Sequence, residues 1–365
     1  MSRSAVTSRR QMAALFVLAF AGWILGRTVA NVDGFFDELG QWDGAWYHSI
    51  AQSGYGSIAD EAIRFFALFP TLGAIVDLLA PWSLGVSMLL IAWMSAYLGL
   101  RRVAMLARTA TGSAEAMRLT QWSVVLWPAS ISLIMAYPTG ITLLATSATL
   151  ISLTPTATSS TNTRRGLDTN AVNWAHVATW SAIASLARPT GLLLVVPIAI
   201  VLISERPNRP LPWLSLAAPL SGVITMSLIS LQHGRGLTAW SDVQGPLRGQ
   251  WVNPISRVTT GVIDLAGRNV LDGLHLGTVV LLFGLALVAW RKLPLPWAAH
   301  ATAVLVLTTA VENWNSLERY AYDMPQLAVA AALVMQRGWK RRVAIVSWIG
   351  AVGLVALVMA GEFVP

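Results

Sequence analysis

Apolar runs recur from residue 11 to residue 361 with only short polar gaps between them. They lie near 11–30, 65–80, 84–100, 119–136, 138–154, 173–187, 189–204, 212–231, 274–290, 295–311, 321–336 and 343–361. Because about 17 to 25 residues of helix cross the hydrocarbon core, the pattern predicts an all-α polytopic transmembrane bundle of about 11–12 membrane segments. The runs near 138, 189 and 321 begin beside Pro138, Pro189 and Pro325. Proline is tolerated at a helix start, and breaks at membrane depth need protein or water partners, so broken helices should line a cavity.

Composition sharpens the picture. Only 12% of the 365 residues are charged while 55% are hydrophobic, about half the charge content of soluble domains, which excludes a soluble enzyme. The chain reads as a single integral membrane domain, 1–365. With no cysteine, disulfides, thiolate catalysis and Cys-ligated zinc are excluded. The net charge of +8 sits in short membrane-flanking clusters: Arg101, Arg102, Arg108 and Arg118; Arg164 and Arg165; Arg206 and Arg209; Arg291 and Lys292; Arg337, Lys340, Arg341 and Arg342. That distribution argues against nucleic-acid binding and for cytoplasmic loops. Arg3, Arg9 and Arg10 ahead of the first run predict a retained anchor with a cytoplasmic N-terminus in the cell membrane. The crossing count from there puts the first basic loop on the wrong side unless one segment between 31 and 100 is re-entrant, 65–80 being the first suspect.

The polar stretches left outside are 31–64, the turns at Tyr137 and Arg188, 232–273, and 312–320. The first holds six of the 17 acids, Asp33, Asp37, Glu38, Asp43, Asp60 and Glu61, against Arg64 alone. It also carries Trp42, Trp46, Tyr47 and Tyr55, whose rings favour the membrane interface. Positions 42, 46 and 50 share a helical face, with Asp43 and Tyr47 on the adjacent stripe. A short interfacial helix with its carboxylate aimed sideways is expected. Such a carboxylate suits a general base, although interfacial acids also cap helices or pair with Arg.

The run QWDGAWYHSIAQSGYG followed by RFFALFP resembles the W-D-x-x-W-Y-x-x-I-A-x-x-G-Y and F-F-P-L-Y-P signatures of bacterial relatives of GPI mannosyltransferase II, the PIG-V-like family. Eight positions of the first motif agree: Trp42, Asp43, Trp46, Tyr47, Ile50, Ala51, Gly54 and Tyr55. LWPASISLIMAYPTG, SLARPTGLLL and NSLERYAYDMP are similar to further landmarks of that family. Ala67 and Phe69 depart from F-F-P-L-Y-P, and the acid of the family's Y-T-E-S element is missing after Tyr137.

The resemblance implies a GT-C-type polytopic glycosyltransferase. It would move a sugar, usually mannose, from a polyprenyl-phosphate donor to a hydroxyl of a lipid or cell-envelope glycan on the extracytoplasmic face. Asp43 is then the base of an inverting displacement, in a first outer catalytic loop over 31–64. Trp42, Trp46, Tyr47 and His48 belong to the substrate site on the same reading, and His48 equally fits a surface position. Arg188 and Arg319 on predicted outer turns, with Arg64 third, suit the donor phosphate, because Arg binds phosphate bidentately and stays charged. Arg188 could instead cap a broken helix or pair with an acid, Arg319 has Glu312, Glu318 and Asp323 nearby, and Tyr320 fits either the phosphate or an interface belt.

The five histidines show no metal spacing, and no Gly-rich phosphate loop occurs. Asp33, Asp37 and Glu38 are weak candidates for a divalent cation, Mg or Mn, on oxygen ligands alone. The second outer loop, 232–273, is either a lid or an interfacial segment. Two other functions remain open on the sequence: a transporter or flippase for a lipid or small anion, for which no internal repeat is found, and an inactive assembly partner of another membrane subunit.

Overall fold

The computed structural model describes residues 3–30, 34–154, 172–266, 270–336 and 340–361. These residues form an all-helical membrane body without a named strand, apart from one isolated bridge between Trp251 and Val311. The weak metal candidate Asp33 and the basic pair at 164 and 165 lie outside the described residues.

Helix α1 (Arg3–Val29) is followed by the first polar loop, which holds helix α2 (Asp43–Ser53). Next come α3 (Leu68–Leu79), α4 (Leu84–Thr111), α5 (Ala114–Val125), α6 (Thr139–Ser152), α7 (Trp174–Ala187) and α8 (Val195–Glu205). The stretch Pro210–Gln232 ends in α9 (Ser221–Gln232). The second loop then carries α10 (Pro254–Ala266), and α11 (Val270–Lys292), α12 (Leu295–Thr309), α13 (Pro325–Val334) and α14 (Lys340–Met359) complete the chain.

Among the described residues, four helical stretches are long and apolar enough to cross a bilayer: Ser8–Thr28, Leu84–Thr111, Pro210–Gln232 and Gly273–Lys292. Others are short, and the cause is local. The segment expected over 119–136 stops at Val125, ahead of Pro128, whose ring disfavours α conformation in the residue before it. It continues as a tight 3₁₀ turn over Pro128–Leu133. Helix α3 has 12 residues, about 18 Å at 1.5 Å per residue, against the roughly 30 Å hydrocarbon core. Helix α2 forms where expected, but its buried residues are Gly44, Tyr47 and Ile50. The ring of Tyr47 meets Phe65 and Phe69 edge-on at 5.1 and 5.2 Å, so the bundle takes this face.

Glycine sets the closest approaches, as small residues do between membrane helices. A Cβ at Gly140 would lie 2.5 Å from the Ala96 nitrogen, so α6 starts directly on the backbone of α4. At Gly222 it would lie 2.0 Å from the Ser185 carbonyl oxygen, where α9 crosses α7. Ser185 serves that crossing twice: its hydroxyl donates to the Pro219 carbonyl at 2.5 Å and accepts from the Gly222 N–H at 3.1 Å. Pro219 interrupts the helical ladder here, and the serine repairs it.

The blocking atoms at Gly222 are backbone, so no side-chain rotation can relieve a substitution. Gly222→Val is expected to cost about 1–3 kcal/mol of overpacking, read as a lower Tm in detergent, while Gly85→Ala, with nothing within 4 Å, melts with the wild type. Equal melting of both variants would show that the crossing is not tight.

Candidate active site

Five separated sequence landmarks converge on one cavity of about 260 Å³. Trp42, Asp43, Trp46 and Tyr47 come from the start of α2, and Arg64, Phe65 and Phe66 from the turn ahead of α3. Pro138 and Thr139 stand at the head of α6, and Arg188 and Pro189 at the break after α7. Ser316, Arg319 and Tyr320 join them from the turn ahead of α13, and Gln244, Leu247 and Arg248 add a sixth segment from the 232–273 loop. His48 stands outside this lining.

The turn over Leu317–Asp323 is a 3₁₀ helix, in which residues three apart share a face. Its successive charges therefore point to different partners. Glu318, fully buried, meets His275 Nδ1 of α11 at 2.8 Å. Arg319 Nη1 donates to Asp43 Oδ2, joining residues 276 positions apart. Tyr320 and Asp323 share the third face and both meet Arg188: its guanidinium lies 4.9 Å from the Tyr320 ring centre, and its Nη1 donates to Asp323 Oδ1 at 3.0 Å. Thr190 Oγ1 donates to the other Asp323 oxygen at 2.8 Å. None of the acids near Arg319 in sequence is thus its partner here.

Asp43 is held from a second side, its backbone N–H donating to the Tyr137 hydroxyl at 3.2 Å. The guanidinium of Arg319 lies 5.3 Å from the Tyr137 ring centre. Two lining residues have positive φ without being glycine, Trp42 (58°) directly before Asp43 and Ser316 (62°) directly before the 317–323 turn. Such backbone costs about 1–3 kcal/mol per residue and persists where surrounding structure enforces it.

One cation was not singled out from the sequence. Arg248 in the 232–273 loop donates to the Asn315 carbonyl at 2.5 Å and to the Tyr320 hydroxyl at 2.8 Å. Its loop is strapped to the 310–315 segment by Val252 N–H to Ala310 O at 3.1 Å, Glu312 N–H to Gln250 O at 3.2 Å and Asn313 N–H to Arg248 O at 3.0 Å. The only signal in the sequence was that Arg248 is one of several arginines in that loop.

Four guanidiniums, Arg64, Arg188, Arg248 and Arg319, thus line a cavity with one carboxylate, Asp43, paired to Arg319 on its wall, while Arg188 pairs with the buried Asp323, which is not part of the lining. Among the described residues Arg64 and Arg248 form no ion pair with a carboxylate; Arg64 lies over the Phe65 ring at 4.7 Å. Arg319 Nε and Thr139 Oγ1 are buried and take no partner from the protein. Buried polar atoms are nearly always bonded, so a polar ligand fits here. The 317–323 turn also contributes Ala321 and Tyr322 to an apolar groove of about 360 Å³, lined by Trp122, Trp127, Leu282 and Leu327 among others. Asp37 and Glu38 belong to no group of three or more His, Cys, Asp or Glu that could hold a metal among the described residues.

Three of the cavity's cations act on Tyr320. Burial opposes ionisation of its phenol, but Arg248, Arg188 and Arg319 outweigh burial and hold it below its ordinary range. Burial pushes the phenols of Tyr47 and Tyr137 up instead, with Asp43 adding to the rise. A spectroscopic pH titration of wild type minus Tyr320→Phe should therefore show one phenolate appearing below about pH 10, the unperturbed tyrosine value, and Arg248→Ala should move it upward. A difference spectrum centred above pH 10 would contradict this electrostatic reading.

No protein-family model matches the chain, and no curated protein does. Among solved structures it is similar to the crystal structure of ArnT from Cupriavidus metallidurans bound to undecaprenyl phosphate, with a TM-score of 0.58 and 12% identity over 95% of this chain and 77% of that one. It is also similar to ArnT of the same organism in the apo state, with a TM-score of 0.51, 13% identity and the same coverage. At such identity the likeness is one of fold: the chain shares the all-helical fold of these ArnT structures.

Proposed function

We propose that the protein is a membrane glycosyltransferase that moves a sugar from a polyprenyl-phosphate-linked donor to a hydroxyl of a lipid or cell-envelope glycan acceptor. The observation that carries the proposal is a carboxylate, Asp43, fixed on the wall of a cavity with two more guanidiniums than paired carboxylates, beside an apolar groove. The fold it shares with ArnT, a protein seen bound to undecaprenyl phosphate, supports the same class of donor. Mannose is the sugar implied by the W-D-x-x-W-Y resemblance at 42–47.

The reaction is an inverting displacement. The acceptor oxygen bonds to the anomeric carbon while the bond from that carbon to the phosphate oxygen breaks. The acceptor proton passes to Asp43, whose Oδ2 is taken by Arg319, so Oδ1 is the receiving atom. The phosphodiester of the donor carries one negative charge, and the polyprenyl phosphate that leaves carries nearly two at neutral pH. A wall with two surplus cations favours that developing charge over the donor's ground state, and this differential accelerates a reaction. Arg64 and Arg248 are the residues best suited to receive the phosphate, since neither is ion-paired to a carboxylate. Arg188, committed to Asp323, whose other oxygen is held by Thr190, shapes the wall and faces Tyr320. The polyprenyl chain lies in the apolar groove, and Trp42 and Trp46 offer ring faces to the sugar. The cavity opens on the extracytoplasmic side, as the basic clusters at 101–118 and 206–209 lie on the opposite loops.

The test compares purified wild type with Asp43→Asn, at equal folded protein, for transfer of labelled mannose from polyprenyl-phosphate mannose to membrane lipids and glycans. Loss of a general base is expected to lower turnover by about 100-fold or more. Equal turnover would remove Asp43 from the reaction, and no transfer by wild type across donors, with movement of the lipid phosphate between leaflets, would establish a flippase instead.

A further inference from the structure

Helix α10 in the second outer loop divides its surface three ways. One face is packed on protein: Arg257 Nε donates to the Glu312 carbonyl at 2.6 Å with its guanidinium 4.4 Å from the Trp314 ring centre, and Gly261 is buried beside Leu276 of α11. A second stripe is polar and exposed, Ser256 and Thr260, with the Thr260 hydroxyl bonded back to the Ser256 carbonyl at 3.1 Å. The third is apolar and exposed: Ile255, Val262 and Ile263, at 76%, 55% and 70%, share a face at i, i+7 and i+8. Thr259 lies within that stripe, and its hydroxyl is turned onto the Ser256 carbonyl at 2.7 Å. Trp251, four residues ahead of Ile255, is 71% exposed.

A helix with protein on one side needs only two kinds of exposed surface, polar and apolar, if water and hydrocarbon both reach it. We propose that α10 is seated in the lipid headgroup and acyl boundary, with Ile255, Val262 and Ile263 in the acyl region and Ser256 and Thr260 in water. Three observations favour lipid as the occupant. The chain passes from α10 almost directly into α11, whose stretch Gly273–Lys292 is long and apolar enough to span. That helix presents exposed Val280, Leu281 and Leu287, a surface of the same character. Trp251, at the near end of the helix, has the amphipathic ring that favours the interface.

The seat matters for the cavity. Only five residues separate Arg248 from Pro254, the first residue of α10, and the strap to 310–315 occupies them. Seating α10 therefore fixes the depth of Arg248 and places the cavity mouth at headgroup level, where a lipid-borne phosphate enters from the bilayer plane. The seat itself rests on exposure and packing, independent of the proposed reaction.

The chain has no cysteine, so single nitroxide labels can be placed without background. Ile255→Cys, Ile263→Cys and Thr260→Cys would each be labelled in the full chain, reconstituted in phosphatidylcholine vesicles. Collision with dissolved oxygen would be compared with collision with a water-soluble nickel complex. The ratio of oxygen to nickel accessibility is expected to be several-fold higher at 255 and 263 than at 260. Equal ratios at the three sites would place the stripe in water, and low access to both reagents at 255 and 263 would place it against a second copy or another subunit. Either result overturns the membrane seat.

Discussion

Charges taken out of water must be paired, and the tight turn over 317–323 is where this chain meets that requirement. Removing one member of a buried ion pair costs about 3–5 kcal/mol, because the other is left uncompensated. The turn offers Glu318, Arg319 and Asp323, all buried, and each finds its partner on a different element. A 3₁₀ helix, with three residues per turn, aims them apart and returns Tyr320 and Asp323 to one side, where Arg188 waits. The same seven residues therefore tie α2, α7 and α11 to one point. The cavity is what remains between those ties.

Pairing is incomplete, and the proposed function rests on the remainder. Arg188 and Arg319 are matched by Asp323 and Asp43, whereas Arg64 and Arg248 face the cavity over aromatic rings. Their hold on an incoming anion costs no broken ion pair. The apolar groove is lined in part by Ala321 and Tyr322, next in sequence to the residues of the turn that line the polar cavity. A head of negative charge and a tail of hydrocarbon would thus be met by adjacent residues of one turn.

Much of this was legible in the sequence because charge is scarce there. Arg188 and Arg319 stand out by position between apolar runs, whereas Asp43, set among aromatic residues, is nominated by its position together with the W-D-x-x-W-Y resemblance. Helix positions followed for the same reason, although the segment at 119–136 splits at Pro128. The pairings were not legible. Arg319 has three acids close by in sequence, yet its partner is Asp43, because a tight turn sends neighbouring side chains in different directions. Arg248 was hidden among the arginines of a long polar loop, and only the strap onto 310–315 selects it. His48, next to Tyr47, is not part of the cavity that its neighbour lines. Strain at Trp42 and Ser316 has no signature in residue type at all.

The central claim is that the unpaired cations Arg64 and Arg248 receive a lipid phosphate, and its most direct measurement is the affinity of the detergent-solubilised protein for polyprenyl phosphate. Each hydrogen bond to a charged group is worth about 1.5–3 kcal/mol, so Arg64→Ala with Arg248→Ala should weaken binding by well over tenfold. Wild-type affinity should also rise with pH through the second ionisation of the phosphate, near pH 6. Unchanged affinity in the double variant, at equal folded protein, would contradict the account.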